Sequence, residues 1–291
     1  MHTVFATAKR RLQATIRKDY QRSLRDSISG YSQVFADVLP PEFLSSIDPT
    51  LRQRRFGHRP MFWAWLTQIL EGNTSCSYAV SLMQTWTREH DLPVPSSYTS
   101  GYCQARQRMD LGFLREIHER VLSQLDSAIV EKDQWRVLTL KAIDGTSCQL
   151  ADTPANQEVF PQPKSQKPGC GFPVFDGVGL VNLSHGGIET FVSSPGTTHD
   201  AKTAPHLLKA LNARELLLAE RAFSSYEIIA TITHHQRAHC LMRLHQSRHG
   251  ILDWRKGKRL SKNERLVTWK KGRKPPKSTL TPDEWGLFPR P

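Results

Sequence analysis

WRVLTLKAIDGTSC, residues 135–148, is an apolar, β-rich run that ends on one carboxylate, Asp144, followed at once by Gly145, Thr146 and Ser147. Val137, Leu138, Leu140 and Ile143 suit a strand buried with little alternation between core and solvent. An acid at the mouth of such a strand is costly unless it is paired, solvated or bound to a metal. Asp-Gly-Thr also opens ordinary turns, so this stretch alone leaves a catalytic and a turn reading open.

The downstream sequence narrows the choice. After a polar loop over 152–171 come two more β-like runs, PVFDGVGLVNL (173–183) and GIETFVSS (187–194), joined by Ser184-His185-Gly186-Gly187, which suits a hairpin turn. A helix is expected from Asp200 to Leu211. ELLLAERAF (215–223) then gives a fourth strand delivering Glu220, a helix runs from Ser224 to about His235, and HCLMRL (239–244) is a fifth strand. The order β-β-β-α-β-α-β, with acids after the first and fourth strands, is that of an RNase H-like α/β fold. That topology sets the first and fourth strands side by side, so Asp144 and Glu220 would meet at one edge. Two such carboxylates can hold a pair of Mg²⁺ ions. The competing account of Glu220 is an ion pair with Arg221 or Arg214.

Upstream, residues 1–130 read as helical. Ala8 to Leu24 has a basic face. Ser32 to Phe35 starts a short apolar period stopped by Pro40-Pro41. Trp63, Leu66, Ile69 and Leu70 share one helix face. Ser75 and Ser100 stand where helix N-caps belong, and Leu111 to Val130 is amphipathic with Leu114, Ile117, Val121, Leu122, Leu125 and Ile129 inward. Arg52, Arg54, Arg55, Arg106 and Arg108 decorate this region. They fit either a helical bundle with a solvated basic surface or a DNA-binding front end.

At 291 residues with 38% hydrophobic content the chain is long enough for one large or two ordinary globular domains. Its net charge of +13 favours a polyanionic partner. Residues 251–277 concentrate that charge: eleven Lys or Arg, among them Arg255, Lys256, Lys258 and Arg259, stand against Asp253 and Glu264, with Trp254 and Trp269 interleaved. Basic residues with aromatics between them fit a phosphate-tracking surface. Five scattered cysteines without a C-x-x-C pair argue for a reducing compartment and against a disulfide framework. No apolar run reaches the roughly 18 to 20 residues that span a bilayer, so no membrane partner and a cytoplasmic location are expected. His235 and His239 have the spacing of a helical zinc pair, but no H-E-x-x-H is present and His239 falls at a strand start.

Five stretches carry a resemblance: FWAWLTQILEGNTSCSYAV, SGYCQARQRM, KAIDGTS, ELLLAERAFSSYE, and HCLMRL leading into the basic segment. In this order, from about residue 50 onward, they resemble the DDE transposases of the bacterial insertion-sequence-four group. The resemblance implies a helical DNA-binding region over 1–130, an RNase H-like core over 131–249, and the start of a basic, β-rich insertion domain over 250–291. It also implies cleavage and joining of double-stranded DNA at terminal inverted repeats with two Mg²⁺ (or Mn²⁺) ions, in a homodimer or larger synaptic assembly. By position Asp144 and Glu220 are two of its metal-binding acids, and Arg221 and Arg243 join the DNA-contacting cations.

Two departures stand out. The second acid is Glu where the family has Asp, and a shift of about an ångström in a catalytic group can cost roughly a hundredfold in rate. The family's third acid lies in a Tyr-led signature, and no Tyr follows Tyr226 here. The sequence therefore reads as a truncated, inactive transposase that lacks a closing element, or as a non-catalytic DNA-binding remnant that interferes with an intact relative.

Overall fold

A computed structural model describes residues 27–49, 56–167, 169–195, 200–248, 250–276, 278 and 280–288. The chain divides into two compact units, Met1–Ser127 and Ala128–Pro291.

In the first unit the described residues form helices α1 (Ser27–Val34), α2 (Pro41–Ser46), α3 (His58–Leu70), α4 (Cys76–Glu89), α5 (Thr99–Gln107) and α6 (Leu111–Ser127). The expected helix over Ala8–Leu24 lies outside the described residues. Pro41 opens α2 at its first turn, where a missing N–H costs nothing, so Pro40-Pro41 separates two helices rather than closing a helical region. Ser75 caps α4 by accepting the Tyr78 N–H at 3.2 Å. Ser100 lies inside α5, whose N-cap is Tyr98. Asp110 accepts the Phe113 N–H at 2.8 Å and so helps start α6.

The core of this unit is built on Met61, Phe62, Trp63, Ala64, Met83, Tyr102, Phe113 and Ile117. The expected α3 face is therefore rotated: Ile69 and Leu70 stay 45% exposed, and Thr67 and Gln68 go inside. Gln68 explains the rotation. Its carbonyl oxygen accepts the buried Tyr102 hydroxyl at 2.6 Å, and its amide donates to the Thr74 carbonyl at 2.6 Å. Burial pushes the Tyr102 phenol up to about 12, against the lowering effect of nearby Arg106.

The second unit is a mixed α/β structure around a five-stranded sheet: β1 (Thr139–Gln149), β2 (Val174–Asn182), β3 (Ile188–Pro195), β4 (Glu215–Ala219) and β5 (His239–Met242). The strand order is β3-β2-β1-β4-β5. β1, β2 and β3 form antiparallel pairs, whereas β4 and β5 run parallel to β1. This arrangement is consistent with an RNase H-like core. Between the strands lie α7 (Pro154–Val159), α8 (Asp200–Leu208), and α9 (Tyr226–Ala230), which continues as a π turn over Thr231–His235. α7 falls within what the sequence suggests is a plain loop.

One face of the sheet carries Ile143, Val178, Leu180 and Leu217, which pack with Leu207, Leu208 and Leu211 of the α8 region and with Phe223, Ile228 and Ile232. The hairpin between β2 and β3 closes as expected, with Gly186 at φ +78°. Such a conformation suits a residue without a Cβ.

Two readings of the opening stretch are corrected. Trp135–Leu138 is not strand but a tight turn, with reciprocal 2.9 Å backbone bonds between Trp135 and Leu138 and left-handed Arg136 and Val137. β1 also does not end at Asp144. It runs on to Gln149 because β2 continues to pair with it, opposing Gly179 to Asp144.

Beyond β5 the basic segment forms a two-residue pairing of β6 (Lys258–Arg259) with β7 (Arg265–Leu266). The late segment also holds a helix that the sequence reading did not include. Helix α10 (Pro282–Leu287) forms there, with Thr281 and Glu284 in a reciprocal capping box. Its Trp285, together with Phe288, packs on Tyr226 and Ala230.

Candidate functional site

Parallel pairing of β1 with β4 and of β4 with β5 fixes where the polar residues come together. The last paired positions are Ile143, Ala219 and Met242, which lie side by side across the three strands. One step further along each strand stand Asp144, Glu220 and Arg243. The sheet thus presents two acids and one guanidinium in a single register row at the carboxyl edge of its parallel strands. That edge is where open α/β sheets place their chemistry.

Alternation along a strand puts Asp144 on the face opposite Ile143, away from α8 and α9. Asp144, Glu220 and Arg243 are all exposed. The Asp144 carboxylate accepts the N–H of Gly145 at 2.8 Å. Glu220 has extended backbone (φ −75°, ψ 170°) and precedes a 3₁₀ turn over Arg221–Phe223, which its side chain does not cap. Among the described residues neither acid forms a salt bridge, so the pairing of Glu220 with Arg221 or Arg214 that the sequence left open is not made. The donor chemistry fits a hard divalent cation: two carboxylates, each one residue past the last paired position of its strand, solvent-accessible and in no salt bridge among the described residues.

Three residues back along β1 the picture reverses. Lys141 is buried, and its ammonium bonds Glu189 and, at 3.1 Å, Glu215. Glu189 also accepts from the Asn182 amide at 3.0 Å, and Glu215 accepts the Asn212 N–H at 2.8 Å. Glu189 reaches this network because the β2–β3 register slips between Leu180 and Val181, leaving it as the extra residue of a bulge. Bulges of this kind re-aim a side chain. The sequence signal for the cluster was weak: a lysine in an apolar strand, with acids 48 and 74 positions away.

The cations singled out in the sequence fall into several places. Arg52, Arg54 and Arg55 lie outside the described residues. Arg106 and Arg108 are exposed at the end of α5, and Arg221 is exposed beside Glu220. Lys258 and Arg259 make up β6, Arg255 and Lys256 lie in the turn before it, and all four are exposed. Within the ribbon of β6 and β7, Arg259 stands directly opposite Arg265. Lys256 pairs with Asp253 at 3.3 Å and holds that carboxyl below its ordinary range. The late acids are placed differently from Asp144 and Glu220. Glu264 is exposed in the same ribbon, and the Glu284 carboxylate accepts the Thr281 N–H at 2.7 Å as part of a helix cap. His239 begins β5, so the helical zinc pair with His235 is not formed.

The family described as "Transposase DDE domain" matches residues 135–286. The chain is 25% identical over 207 residues to "Putative transposase InsZ" of Escherichia coli (strain K12), covering 69% of this chain and 67% of that protein. It is 30% identical over 146 residues to "Transposase InsG for insertion sequence element IS4" of the same organism, covering 47% of this chain and 31% of that protein. Among the described residues no helix is long and apolar enough to cross a membrane.

Proposed function

From the premise that this chain belongs to the DDE transposase family, we propose that it binds the terminal-repeat DNA of an insertion sequence and places a DNA phosphate at the row Asp144–Glu220–Arg243. The observation that carries the reading is the parallel register of β1, β4 and β5, whose next step sets these three residues abreast. Asp144 and Glu220 would hold Mg²⁺ or Mn²⁺, which when bound supplies Lewis-acid activation of an attacking oxygen and stabilisation of a leaving one. Arg243 and Arg221 would bind phosphate oxygens beside them.

The basic ribbon supports a DNA partner by its own energetics. Arg259 and Arg265 are directly opposed across two strands, an unfavourable pair in isolation. A polyanion lying over both would relieve the repulsion. Exposed cations distributed in this way neutralise phosphates and make binding steeply salt-dependent. With Arg106, Arg108 and the undescribed Arg52, Arg54 and Arg55, they form the proposed DNA-contacting set. Assembly as a homodimer or larger synaptic complex is part of the same proposal.

We further propose that these 291 residues do not cut DNA by themselves. That reading is supported by the engagement of Glu284 as a helix cap and by the place of Glu264 in the exposed turn before β7. The test is one set of samples: labelled terminal-repeat DNA with Mg²⁺ or Mn²⁺, wild type beside Asp144→Ala, scored for both binding and cleavage. Salt-sensitive binding without cleavage in either protein is the expected result. Cleavage that disappears in Asp144→Ala would overturn the inactivity while supporting the site. Absence of binding at low salt would sink the DNA reading itself.

A further inference from the structure

Asp144 is the register partner of Gly179, and Gly179 is the partner of Phe191, so the three form one cross-strand row from β1 to the edge strand β3. Directly opposed residues face the same side of a sheet. Phe191 therefore shares the face of Asp144, two strand spacings or roughly 10 Å away. Between them Gly179 contributes no side chain.

Glycines also shape the bed on which the ring lies. A Cβ on Gly177 would come within 2.0 Å of Phe191 Cζ, and one on Gly179 would touch Cδ2 at 3.6 Å. The ring is thus laid across both glycines, and Phe175 meets it edge-on with centroids 6.4 Å apart and planes at 81°. Despite this backing Phe191 remains 45% exposed. A flat apolar ring, held from below and open above, faces the same side as the exposed carboxylate, with Gly179 between them and Ile188 bordering that glycine.

We propose that Phe191 is a stacking platform for an unpaired nucleobase of the DNA strand whose phosphate lies at Asp144 and Glu220. The inference rests on the DNA-processing reading of that site. Every base has a π-face, so an aromatic ring binds unpaired nucleotides with little regard to sequence. The separation from Asp144 is one that a nucleotide or two can span, with the phosphate toward the acids and the base toward the ring. An aromatic over a strand glycine also stabilises the sheet, so the decisive measurement must read the base and not the fold.

The full chain would be titrated, by fluorescence anisotropy, into two labelled terminal-repeat duplexes carrying the same short single-stranded extension. One extension has its bases and the other is abasic. Wild type is expected to bind the base-bearing DNA on the order of 5- to 100-fold more tightly. Phe191→Leu, which keeps an apolar side chain over the glycines, should bind both DNAs equally. Phe191→Trp, which keeps an aromatic face, should restore the preference. Equal, salt-sensitive binding of the two DNAs by wild type would overturn the platform and leave the DNA reading standing. Failure of wild type to bind either DNA would overturn both. A preference that persists in Phe191→Leu would assign the stacking to another residue.

Discussion

Lys141 and Asp144 are three residues apart on one strand, face opposite sides of the sheet, and meet opposite fates. At Lys141 the charges are buried and closed on one another: one ammonium, two glutamates, an asparagine amide and a backbone N–H. At Asp144 two acids and an arginine stand abreast and exposed, with no acid paired to a cation among the described residues. Charges that the protein pairs internally serve the fold, because buried ions are tolerated only when neutralised and hydrogen-bonded. Charges left open at the carboxyl edge of parallel strands retain their capacity for a ligand. The same strand does both by changing face.

The sharpest way to break this comparison is to remove Lys141. Lys141→Met leaves Glu189 and Glu215 buried without their cation, and stripping one partner from a buried ionic cluster costs about 3–5 kcal/mol. Urea or guanidinium unfolding would read this as a lower midpoint. Adding Glu189→Gln and Glu215→Gln to the same protein should recover much of the loss, since the uncompensated charge is then gone. A single Lys141→Met protein as stable as wild type would mean that the cluster contributes nothing as a structural element.

The first unit offers a neutral counterpart. Gln68→Leu would leave the buried Tyr102 hydroxyl without its acceptor and the Thr74 carbonyl without its side-chain donor, for a loss of about 1–3 kcal/mol. The double variant Gln68→Leu with Tyr102→Phe should be less destabilised than the sum of the two single changes. Additive losses would show that the hydrogen bond is not what turns α3 inward.

How much of this was legible in the sequence depends on the range of the interactions involved. The side-by-side placement of the first and fourth strands could be read because short apolar runs between turn signals mark strands, and their order is that of an RNase H-like sheet. The continuation of β1 to Gln149 could not, because Gly-Thr-Ser reads as a turn and only the partner strand keeps it extended. The rotation of α3 depends on Gln68 finding Tyr102 thirty-four residues away, and a polar residue outside the predicted apolar face gives no sign of such a partner. Glu189 reaches Lys141 through a bulge, a register detail invisible to periodicity. α10 was missed because six residues between prolines resemble a tail, although Thr281 and Glu284 spell a capping box at the right spacing.

That box supplies a smaller effect. Thr281→Ala should cost about 0.5–2 kcal/mol, as the loss of an N-cap hydroxyl does. Hydrogen bonding from Thr281 lowers the Glu284 carboxyl below its ordinary range. The folded pKa therefore lies below the unfolded one. The carboxylate's contribution is present above the unfolded pKa and fades as pH falls through the folded value. Glu284→Gln should be insensitive to acid over that interval, as read by protection of α10 backbone amides. Identical acid profiles for wild type and variant would rule out the ionised cap.

The smallest effect on stability belongs to the other end of the comparison. Asp144→Asn and Glu220→Gln remove exposed charges that no cation of the protein neutralises, and exposed substitutions of this kind stay within about 0.5 kcal/mol. Together they also relieve any repulsion between the two carboxylates, so the double variant should be no less stable than wild type in metal-free buffer. Addition of Mn²⁺ should then separate the proteins. An ion bound only by the folded state raises the apparent stability of wild type with concentration, whereas the double variant should show no such rise. If Mn²⁺ stabilises both proteins equally, the ion sits elsewhere. If the double variant is strongly destabilised without metal, this edge is held together as tightly as the Lys141 cluster, and the distinction between the two ends of β1 fails.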